Sequence, residues 1–409
     1  MDYASWFDLD LQIYNTRKWF ARHISWHFSA VEKTIIRRFI YPAFHQASVS
    51  SILGNQYAFR PTGSTTAALI SLFHTVTQIL NSNSYVCVIA IDFKKGFETV
   101  RHATLLNKIA NLDLSDHVYN WLVNFFKDRQ QCTSYWDTTS VSEKISASII
   151  QGSTIGPASY VVTESDLKPV ATDNVLCKYA DDTYVIIPSE NIETRVTELD
   201  NVDKWARANN LTLNRSKCVE IIFHHSRRKR QYGVPPPLPN VPRVQSIKIL
   251  GVTISSSLSV TEHVNRVISS SAVYSFPPPP PNSWHGKCII AYRLQSCHSL
   301  QIKICSSAWW RHTTAADRRR LEAVLWRAKR ASLCFDDVPI LAELINDADD
   351  ELYDKLLSSP HHVLCSILPN ETVSSYSLRC RHHRRELLDK TLPLVQCNFL
   401  VRMLYKDIY

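Results

Sequence analysis

Three aspartates follow or separate stretches that the sequence predicts to be buried strands. Asp92 comes directly after the apolar, β-branched run Tyr85–Ile91, and the pair Asp181 and Asp182 separates two further runs of this kind. Strand ends are rigid positions, and carboxylate oxygens are the ligands that Mg²⁺ prefers. If the strands are neighbours, the carboxylates could hold two divalent ions, which stabilise the attacking and leaving oxygens when a 3′ hydroxyl attacks an α-phosphate.

Each carboxylate also has a simpler interpretation. Aspartates in turns usually hydrogen-bond their own backbone, and a match such as Tyr-Ala-Asp-Asp at 179–182 would occur by chance in roughly one in ten chains of this length. An aspartate after a strand is often the N-cap of a helix, here of a segment beginning at Lys94. The interpretations differ in whether the aspartates are neighbours in space, which depends on the elements around them.

Helices and strands alternate irregularly along the chain. Apolar residues at three- and four-residue spacing predict helices over 64–80, 118–125, 196–205 and from 321 onwards. Apolar or alternating runs predict strands over 85–91, 146–150, 176–180, 183–187, 220–223 and 247–254. This pattern predicts an α+β fold with helices on one face of a mainly antiparallel sheet.

The composition is that of an ordinary globular protein. The 409 residues are 45% hydrophobic and 20% charged, and at about 150 residues per domain they predict two or three domains. A net charge of +9 favours a polyanionic partner. The eleven cysteines are scattered singly, so we expect reduced thiols. Neither they nor histidines such as His361 and His362 have the spacing of a zinc site.

The sequence predicts neither a membrane span nor a targeting leader. No apolar run approaches the ~20 residues that a bilayer span requires. Asp2, Asp8 and Asp10 precede the first basic residue, which argues against a secretory or mitochondrial leader. We therefore expect an intracellular protein of the cytoplasm or nucleus without a membrane partner, and the oligomeric state stays open.

Six sequence blocks occur in a characteristic order. They are Gln56 to Thr66, Asp92 to His102, Gln151 to Pro157, Tyr179 to Asp182, Leu211 to Lys217, and Leu250 to Val252. In content and order they resemble the reverse transcriptases of non-LTR retrotransposons, of the jockey and chicken-repeat type. The resemblance extends over 56–252, about half of the chain. It implies an RNA-directed DNA polymerase with a right-hand fold, in which an antiparallel palm sheet and interleaved fingers precede a helical thumb.

The resemblance also assigns roles to the three aspartates and their neighbourhood. It implies that Asp92, Asp181 and Asp182 are catalytic and that, with the backbone carbonyl of Phe93, they bind two Mg²⁺ or Mn²⁺ ions. The partners implied are an RNA template, a DNA primer and deoxynucleoside triphosphates.

Further residues correspond to the family's nucleotide site. Phe97 matches the aromatic under the incoming sugar that excludes a 2′ hydroxyl, although it would otherwise be interpreted as helix core. Gln151 and Gly152 match a loop that approaches template and nucleotide, where glycine leaves room for backbone. Arg60 matches a phosphate contact and Lys217 a lysine that assists proton transfer to pyrophosphate, although both could equally be surface cations.

Leu250 and Gly251 resemble the turn of the family's primer grip. This element is known in the family for holding the primer end, and the resemblance is the only ground for the assignment. No alternative role for these two residues follows from their types alone.

The chain departs from the family pattern in several places. The usual Asp-Phe-Ser-Lys-Ala-Phe-Asp has Lys94, Gly96 and Glu98 instead of Ser, Ala and the second Asp, and glycine weakens a helix by up to ~1 kcal/mol relative to alanine. An upstream Arg-Pro-Ile-Ser block has only a faint echo at 22–25. The segment 276–300, with five consecutive prolines, has no counterpart, as a frame disturbance or an incorrect exon join would produce.

These features predict four regions. They are a leader outside the family pattern at 1–28, fingers and palm at 29–275, a disrupted proline-rich segment at 276–300, and a helical, damaged thumb at 301–409. The basic run 227–230 and the prolines that follow it predict an exposed loop, which could touch nucleic acid or be a solvated insertion.

Three functions are consistent with the sequence. The leading hypothesis is an RNA-directed DNA polymerase that joins a deoxynucleotide to a primer 3′ hydroxyl. The second is an inactive retroelement remnant that only binds nucleic acid. An RNA-dependent RNA polymerase is the third, and Phe97 argues against it.

Overall fold

The computed structural model describes most of the chain with several gaps. The described residues are 35–44, 46, 49, 52–132, 134–135, 138–149, 155–225, 233–273, 305–330, 339–372, 383–390 and 393–406. The predicted leader, Gln151, Gly152, the basic run 227–230 and the segment 276–300 lie outside these residues.

Twelve α-helices occur in the described residues. In chain order they are α1 Tyr41–Ala43, after a π-helical turn Ile36–Ile40, α2 Thr65–Ser82, α3 Gly96–Thr99, α4 His102–Ala110, α5 Asp116–Phe126, α6 Gly156–Thr163, α7 Arg195–Ala208, α8 Thr261–Val273, α9 Ser306–Trp309, α10 Ala315–Arg330, α11 Leu341–Ser358 and α12 Phe399–Leu404. Short 3₁₀ turns are Ser189–Thr194, Trp310–His312, Cys365–Ile367 and Val395–Cys397.

The strands form one larger sheet and four small ribbons. The strands are β1 Tyr85–Ile91, β2 Phe93–Lys94, β3 Gln130–Gln131, β4 Ser134–Tyr135, β5 Thr138–Thr139, β6 Glu143–Lys144, β7 Val175–Tyr179, β8 Asp182–Pro188, β9 Thr212–Leu213, β10 Val219–His224, β11 Arg243–Val244, β12 Ser246–Ile249 and β13 Val252–Ser255. The five-stranded sheet has the order β11-β10-β1-β8-β7, and the ribbons pair β12 with β13, β2 with β9, β3 with β6 and β4 with β5. The larger sheet is antiparallel except for the β10–β11 pair, which confirms the predicted α+β class with a mainly antiparallel sheet.

The chain divides into two compact units. One lies within 1–54, 93–167 and 202–213, and the other within 55–92, 168–201 and 214–409. The second unit contains the five-stranded sheet, and its apolar core joins α2, the sheet, the β12–β13 hairpin and the helices that follow. The β1 run is buried along nearly its whole length, as its continuous apolar sequence predicts.

The helix that precedes β1 shows how local sequence defines an element. Ser64 is the N-cap of α2, and its Oγ accepts a hydrogen bond from the backbone N–H of Ala67 at 3.0 Å. The apolar face of α2 is buried in the core, as its three- and four-residue spacing predicts. Just before it, a Cβ at Gly63 would lie 2.2 Å from the carbonyl oxygen of Tyr57, so this close backbone approach requires glycine.

The first unit contains the helices α4 to α6 and the small ribbon β2–β9. Here the predicted strand 146–150 is wrong over its described residues 146–149, of which only Ala147 forms a bridge, to Arg101. Ser148 has a positive φ of 97°, which interrupts an extended chain. The backbone N–H groups of Ser148 and Ile149 instead donate to the carbonyls of Val100 and Phe97.

Among the described residues, no helix combines the length and the apolar character that crossing a membrane requires.

Candidate active site

The β7–β8 hairpin carries two of the three predicted carboxylates. Tyr179 pairs directly with Asp182, so the turn consists of Ala180 and Asp181, and Asp182 is the first residue of β8. The prediction had placed both aspartates between the strands. Ala180 has a positive φ of 53°, a conformation that a tight two-residue hairpin requires. The turn therefore directs two successive aspartates from one rigid point.

A buried glutamine holds this turn in place. Oε1 of Gln56 accepts hydrogen bonds from the backbone N–H groups of Ala180 and Ala58, each at 3.0 Å. Gln56 itself pairs with Lys178 through a parallel β-bridge. Gln56 begins the first of the six sequence blocks, but the prediction assigned it no role, because the type of the residue gives no signal of a partner so distant in sequence.

The third carboxylate lies beside the hairpin. Strand β1 pairs antiparallel with β8, and its last residue Ile91 is opposite Thr183. One step further along both strands, the same register places Asp92 opposite Asp182. Directly opposed residues of an antiparallel pair have Cβ atoms about 4.5–5.5 Å apart and share a face of the sheet. The register therefore brings Asp92 next to Asp182.

Asn214 supports Asp92 through two hydrogen bonds. Its backbone N–H donates to the Asp92 carbonyl and its Nδ2 donates to Oδ2 of the Asp92 carboxylate, each at 2.8 Å. Ser216 Oγ donates to Oδ1 of Asn214 at 3.0 Å, which fixes the orientation of the amide. Asp92 therefore does not act as an N-cap, because it is followed by β2 and the cap of α3 is Lys95. The prediction named Lys217 from this block and missed Asn214.

The carboxylates influence one another electrostatically. The pKa of Asp182 is raised to about 7, first because the surrounding protein desolvates it and then because Asp181 and Asp92 carry like charges nearby. Its side chain is nevertheless accessible to solvent.

The three carboxylates are ligands of the type that a divalent cation prefers, although their side chains are not grouped around one point. Three carboxylates supply the oxygen ligands that Mg²⁺ needs, and a cation would relieve the repulsion that raises the pKa of Asp182. Within the described part of the chain, however, no group of three or more His, Cys, Asp or Glu side chains is positioned to hold a metal ion.

Phe97 lies on the short helix α3 of the first unit. Its half-buried ring stacks on Tyr160 of α6, with ring centroids 4.1 Å apart and planes inclined by 20°. Phe93 forms the β2–β9 ribbon opposite Leu213. Tyr160 lies three residues beyond the block that begins at Gln151, and neither its type nor its spacing predicted a role for it.

Arg60 and Lys217, the two predicted cations, have different environments. Arg60 is half-buried, its Nη1 donates to the carbonyl of Gln56 at 3.4 Å, and burial lowers the pKa of its guanidinium. The side chain of Lys217 is exposed, and its backbone N–H donates to the Asn214 carbonyl at 2.9 Å. Both belong to the second unit with the carboxylates.

Leu250 and Gly251 form the turn between β12 and β13. Both have positive φ, 46° and 91°, as a two-residue hairpin turn requires. Tyr184, two residues after Asp182 on β8, is buried, which raises the pKa of its hydroxyl well above the usual value, and the nearby Leu250 backbone opposes this shift. The predicted primer-grip turn therefore lies near the strand that begins with a candidate metal ligand.

Comparison with known proteins gives one family. The sequence profile described as "Reverse transcriptase (RNA-dependent DNA polymerase)" matches residues 21–254, more than half of the chain. The RNA-directed DNA polymerase from mobile element jockey of Drosophila melanogaster is 27% identical over 223 residues, which are 52% of this chain and 24% of that protein. The probable RNA-directed DNA polymerase from transposon X-element of the same species is 24% identical over 225 residues, with the same two coverages.

The match spans about a quarter of the length of these relatives. Among solved structures, telomerase from Candida tropicalis in complex with a fragment of telomeric RNA gives a TM-score of 0.45 at 11% identity, covering 87% of this chain and 50% of that one. This score is below 0.5, so the assignment rests on the sequence match. By that match, the chain belongs to the reverse transcriptase family.

Proposed function

We propose that this chain is the RNA-directed DNA polymerase of a non-LTR retrotransposon, which joins deoxynucleotides to the 3′ hydroxyl of a primer. The single observation that carries the proposal is the register of β1 against β8, which puts Asp92 beside Asp182. The like-charge influence of Asp92 and Asp181 on the pKa of Asp182 supports it. Three acidic side chains at adjoining strand ends, in a chain of this family, support metal-dependent nucleotidyl transfer.

The metal ligands in this proposal are Asp92, Asp181, Asp182 and the backbone carbonyl of Phe93. When bound, two Mg²⁺ or Mn²⁺ ions would supply stabilisation of the attacking and leaving oxygens. The protein's own contribution is to fix the ligands: Gln56 holds the turn that carries two of them, and the Asn214 amide orients the third.

The proposed nucleotide contacts are Phe97, Gln151, Gly152, Arg60 and Lys217. Phe97 would lie under the sugar and reject a 2′ hydroxyl by its bulk. Burial of Arg60 beside Gln56 fits a cation held in a defined place, as a phosphate contact requires. Exposure of Lys217 leaves its ammonium free to reach a triphosphate.

The regions proposed are fingers and palm at 29–275 and a helical thumb at 301–409. The five-stranded sheet is our candidate palm, and the Leu250–Gly251 turn our candidate primer grip. Helices α9 to α12 give the C-terminal region the helical character that the thumb requires.

An RNA template and a DNA primer are the proposed polymeric partners, and helix α10 provides a surface suited to them. Its buried side carries Leu321 and Leu325, whereas Trp326 is 55% exposed. Arg319 and Arg330 are exposed cations two turns before and one turn after Trp326 on the same side of the helix, and Arg320 and Arg327 are exposed as well. Cations that neutralise phosphates, next to an aromatic ring on which a base can stack, are the features of a nucleic-acid surface.

This basic helix also favours the second candidate function, a protein that binds nucleic acid without polymerising. The surface needs no intact metal site, and the departures at 94–98 lie next to Asp92. The two functions therefore differ in whether bound primer is extended.

The test is extension of a labelled DNA primer on an RNA template with Mg²⁺ or Mn²⁺. We expect extension by the purified chain, and its loss in Asp181→Asn with the fold retained. Asp173→Asn is the matched control, because Asp173 is an exposed aspartate just before β7, at the other end of the same hairpin. Template binding without extension by the folded wild-type chain would refute the polymerase and establish the binding protein.

A further inference from the structure

The ring of Phe97 packs against a second aromatic ring in the first unit. Tyr160, which is 0% exposed, stacks on it with a centroid separation of 4.1 Å and nearly parallel planes. The carbonyl of Phe97 accepts a hydrogen bond from the backbone N–H of Ile149 at 2.7 Å. The residue is therefore held at its backbone by one segment and at its ring by another.

Tyr160 also explains the glycine that precedes Phe97. A Cβ added at Gly96 would lie 3.0 Å from the Tyr160 hydroxyl oxygen, 3.5 Å from its Cε2 and 3.6 Å from its Cζ. The first of these distances is shorter than ordinary van der Waals contact, and the buried ring has little room to withdraw. Glycine, which has no Cβ, avoids this contact.

We propose that Tyr160 is the positioning residue for Phe97 and that Gly96 and Tyr160 are a matched pair. The Tyr160 ring supports the face of Phe97 that turns away from solvent, and the Tyr160 hydroxyl occupies the space that a Cβ at position 96 would need. Because Phe97 is the residue proposed to reject a 2′ hydroxyl, this support determines how strictly the polymerase selects deoxynucleotides. The inference rests on the proposed function for its effect on nucleotide choice, and on packing alone for the matched pair.

The first experiment measures the ratio of kcat/KM for a ribonucleotide to that for the matching deoxynucleotide on one primer and RNA template. We expect Tyr160→Leu to raise this ratio about two- to tenfold, the value of one stacked aromatic pair, while deoxynucleotide incorporation is retained. Tyr160→Phe keeps the ring and should keep the wild-type ratio.

Phe126→Leu is the control for general loosening, because Phe126 is another buried aromatic of the same unit. It should leave the ratio unchanged. A wild-type ratio in Tyr160→Leu, under conditions where Phe97→Ala raises it, would overturn the role of Tyr160. An unchanged ratio in Phe97→Ala, or no deoxynucleotide incorporation by wild type, would instead count against the proposed function.

The second experiment tests the matched pair without depending on activity. Gly96→Ala, Tyr160→Phe and the double variant are compared by urea unfolding. We expect Gly96→Ala to destabilise the wild-type chain and to do so much less in the Tyr160→Phe background, because the hydroxyl that meets the new methyl group is gone. Additive effects of the two substitutions would refute the pair even if every variant were inactive.

Discussion

Replacing Asn214 with alanine removes the donor that faces the Asp92 carboxylate and leaves the backbone bond between the two residues in place. The lost bond, 2.8 Å from Nδ2 to Oδ2, has an ionised acceptor, and such bonds contribute about 1.5–3 kcal/mol. Asn214 is 7% exposed, whereas Asp92 is half-buried, so water can partly replace the donor and the lower end of this range applies. We expect the free energy of unfolding to fall by about 1.5 kcal/mol.

The effect on catalysis should be larger than the effect on stability. Removing a group that orients a metal ligand typically costs 10–100-fold in metal affinity or activity. We therefore expect Asn214→Ala to raise the Mg²⁺ concentration needed for half-maximal primer extension about tenfold or more. The measurements are urea unfolding and extension rates over a magnesium titration.

Asn201→Ala is the matched control for this prediction. Its Nδ2 donates to the carbonyl of Lys168 at 3.0 Å, which is a neutral acceptor, and Asn201 lies within helix α7 and not at a strand end. This variant should lose about 0.5–1.5 kcal/mol and keep the wild-type magnesium dependence. If Asn214→Ala and Asn201→Ala shift the magnesium dependence equally, or neither shifts it, Asn214 does not orient a metal ligand.

Three further predictions concern stability and binding. Glu220→Gln should destabilise the fold by about 3–5 kcal/mol in urea unfolding, because it leaves the buried Arg195 and the half-buried Arg243 beside a neutral side chain. A loss below 1 kcal/mol would show that these arginines find other partners. Burial, and to a lesser extent Arg402, lowers the pKa of His312 to about 4, so the folded state favours the neutral form. His312 should therefore contribute up to about 3 kcal/mol of stability that is complete above pH 6.5 and is lost towards pH 4, and His312→Leu should make the pH profile shallower by that amount. Trp326→Ala should weaken binding of single-stranded RNA about tenfold in fluorescence anisotropy without changing thermal stability, and an unchanged affinity would exclude helix α10 from the interface.

The positions of the candidate ligands could be predicted because they depend on local pattern. Strand β1 occupies the predicted range Tyr85–Ile91, and an apolar run that ends at an aspartate needs no tertiary information to be recognised. The pairing of β1 with β8 followed only from the family resemblance, since no residue in either strand specifies its neighbour. The start of β8 was wrong by one residue, because the turn uses the positive φ of Ala180, and alanine gives no signal of that conformation.

The supporting residues could not be predicted because their partners are distant in sequence. Gln56 bonds a backbone N–H 124 residues away, and Asn214 bonds a carboxylate 122 residues away. Amide side chains of this kind occur on most protein surfaces, so their type carries little information. Tyr160 was missed for a related reason, since an aromatic in an apolar helix is ordinarily core. The glycine at position 96 was the one sign of Tyr160 in the sequence. It is explained by the packing of Tyr160 against position 96.

Two acidic groups of the sheet, Glu220 and Asp182, have opposite electrostatic surroundings. Burial would raise the pKa of Glu220, but hydrogen bonds and charge from Arg243 and Arg195 lower it, so the fold itself neutralises this group. The influences that shift the pKa of Asp182 all act in the opposite direction, and the side chains that support its neighbours are neutral amides. Neutral support fixes the position of a carboxylate without cancelling its charge. A site built in this way retains its attraction for a cation, which is the property that a metal-dependent polymerase needs from its palm.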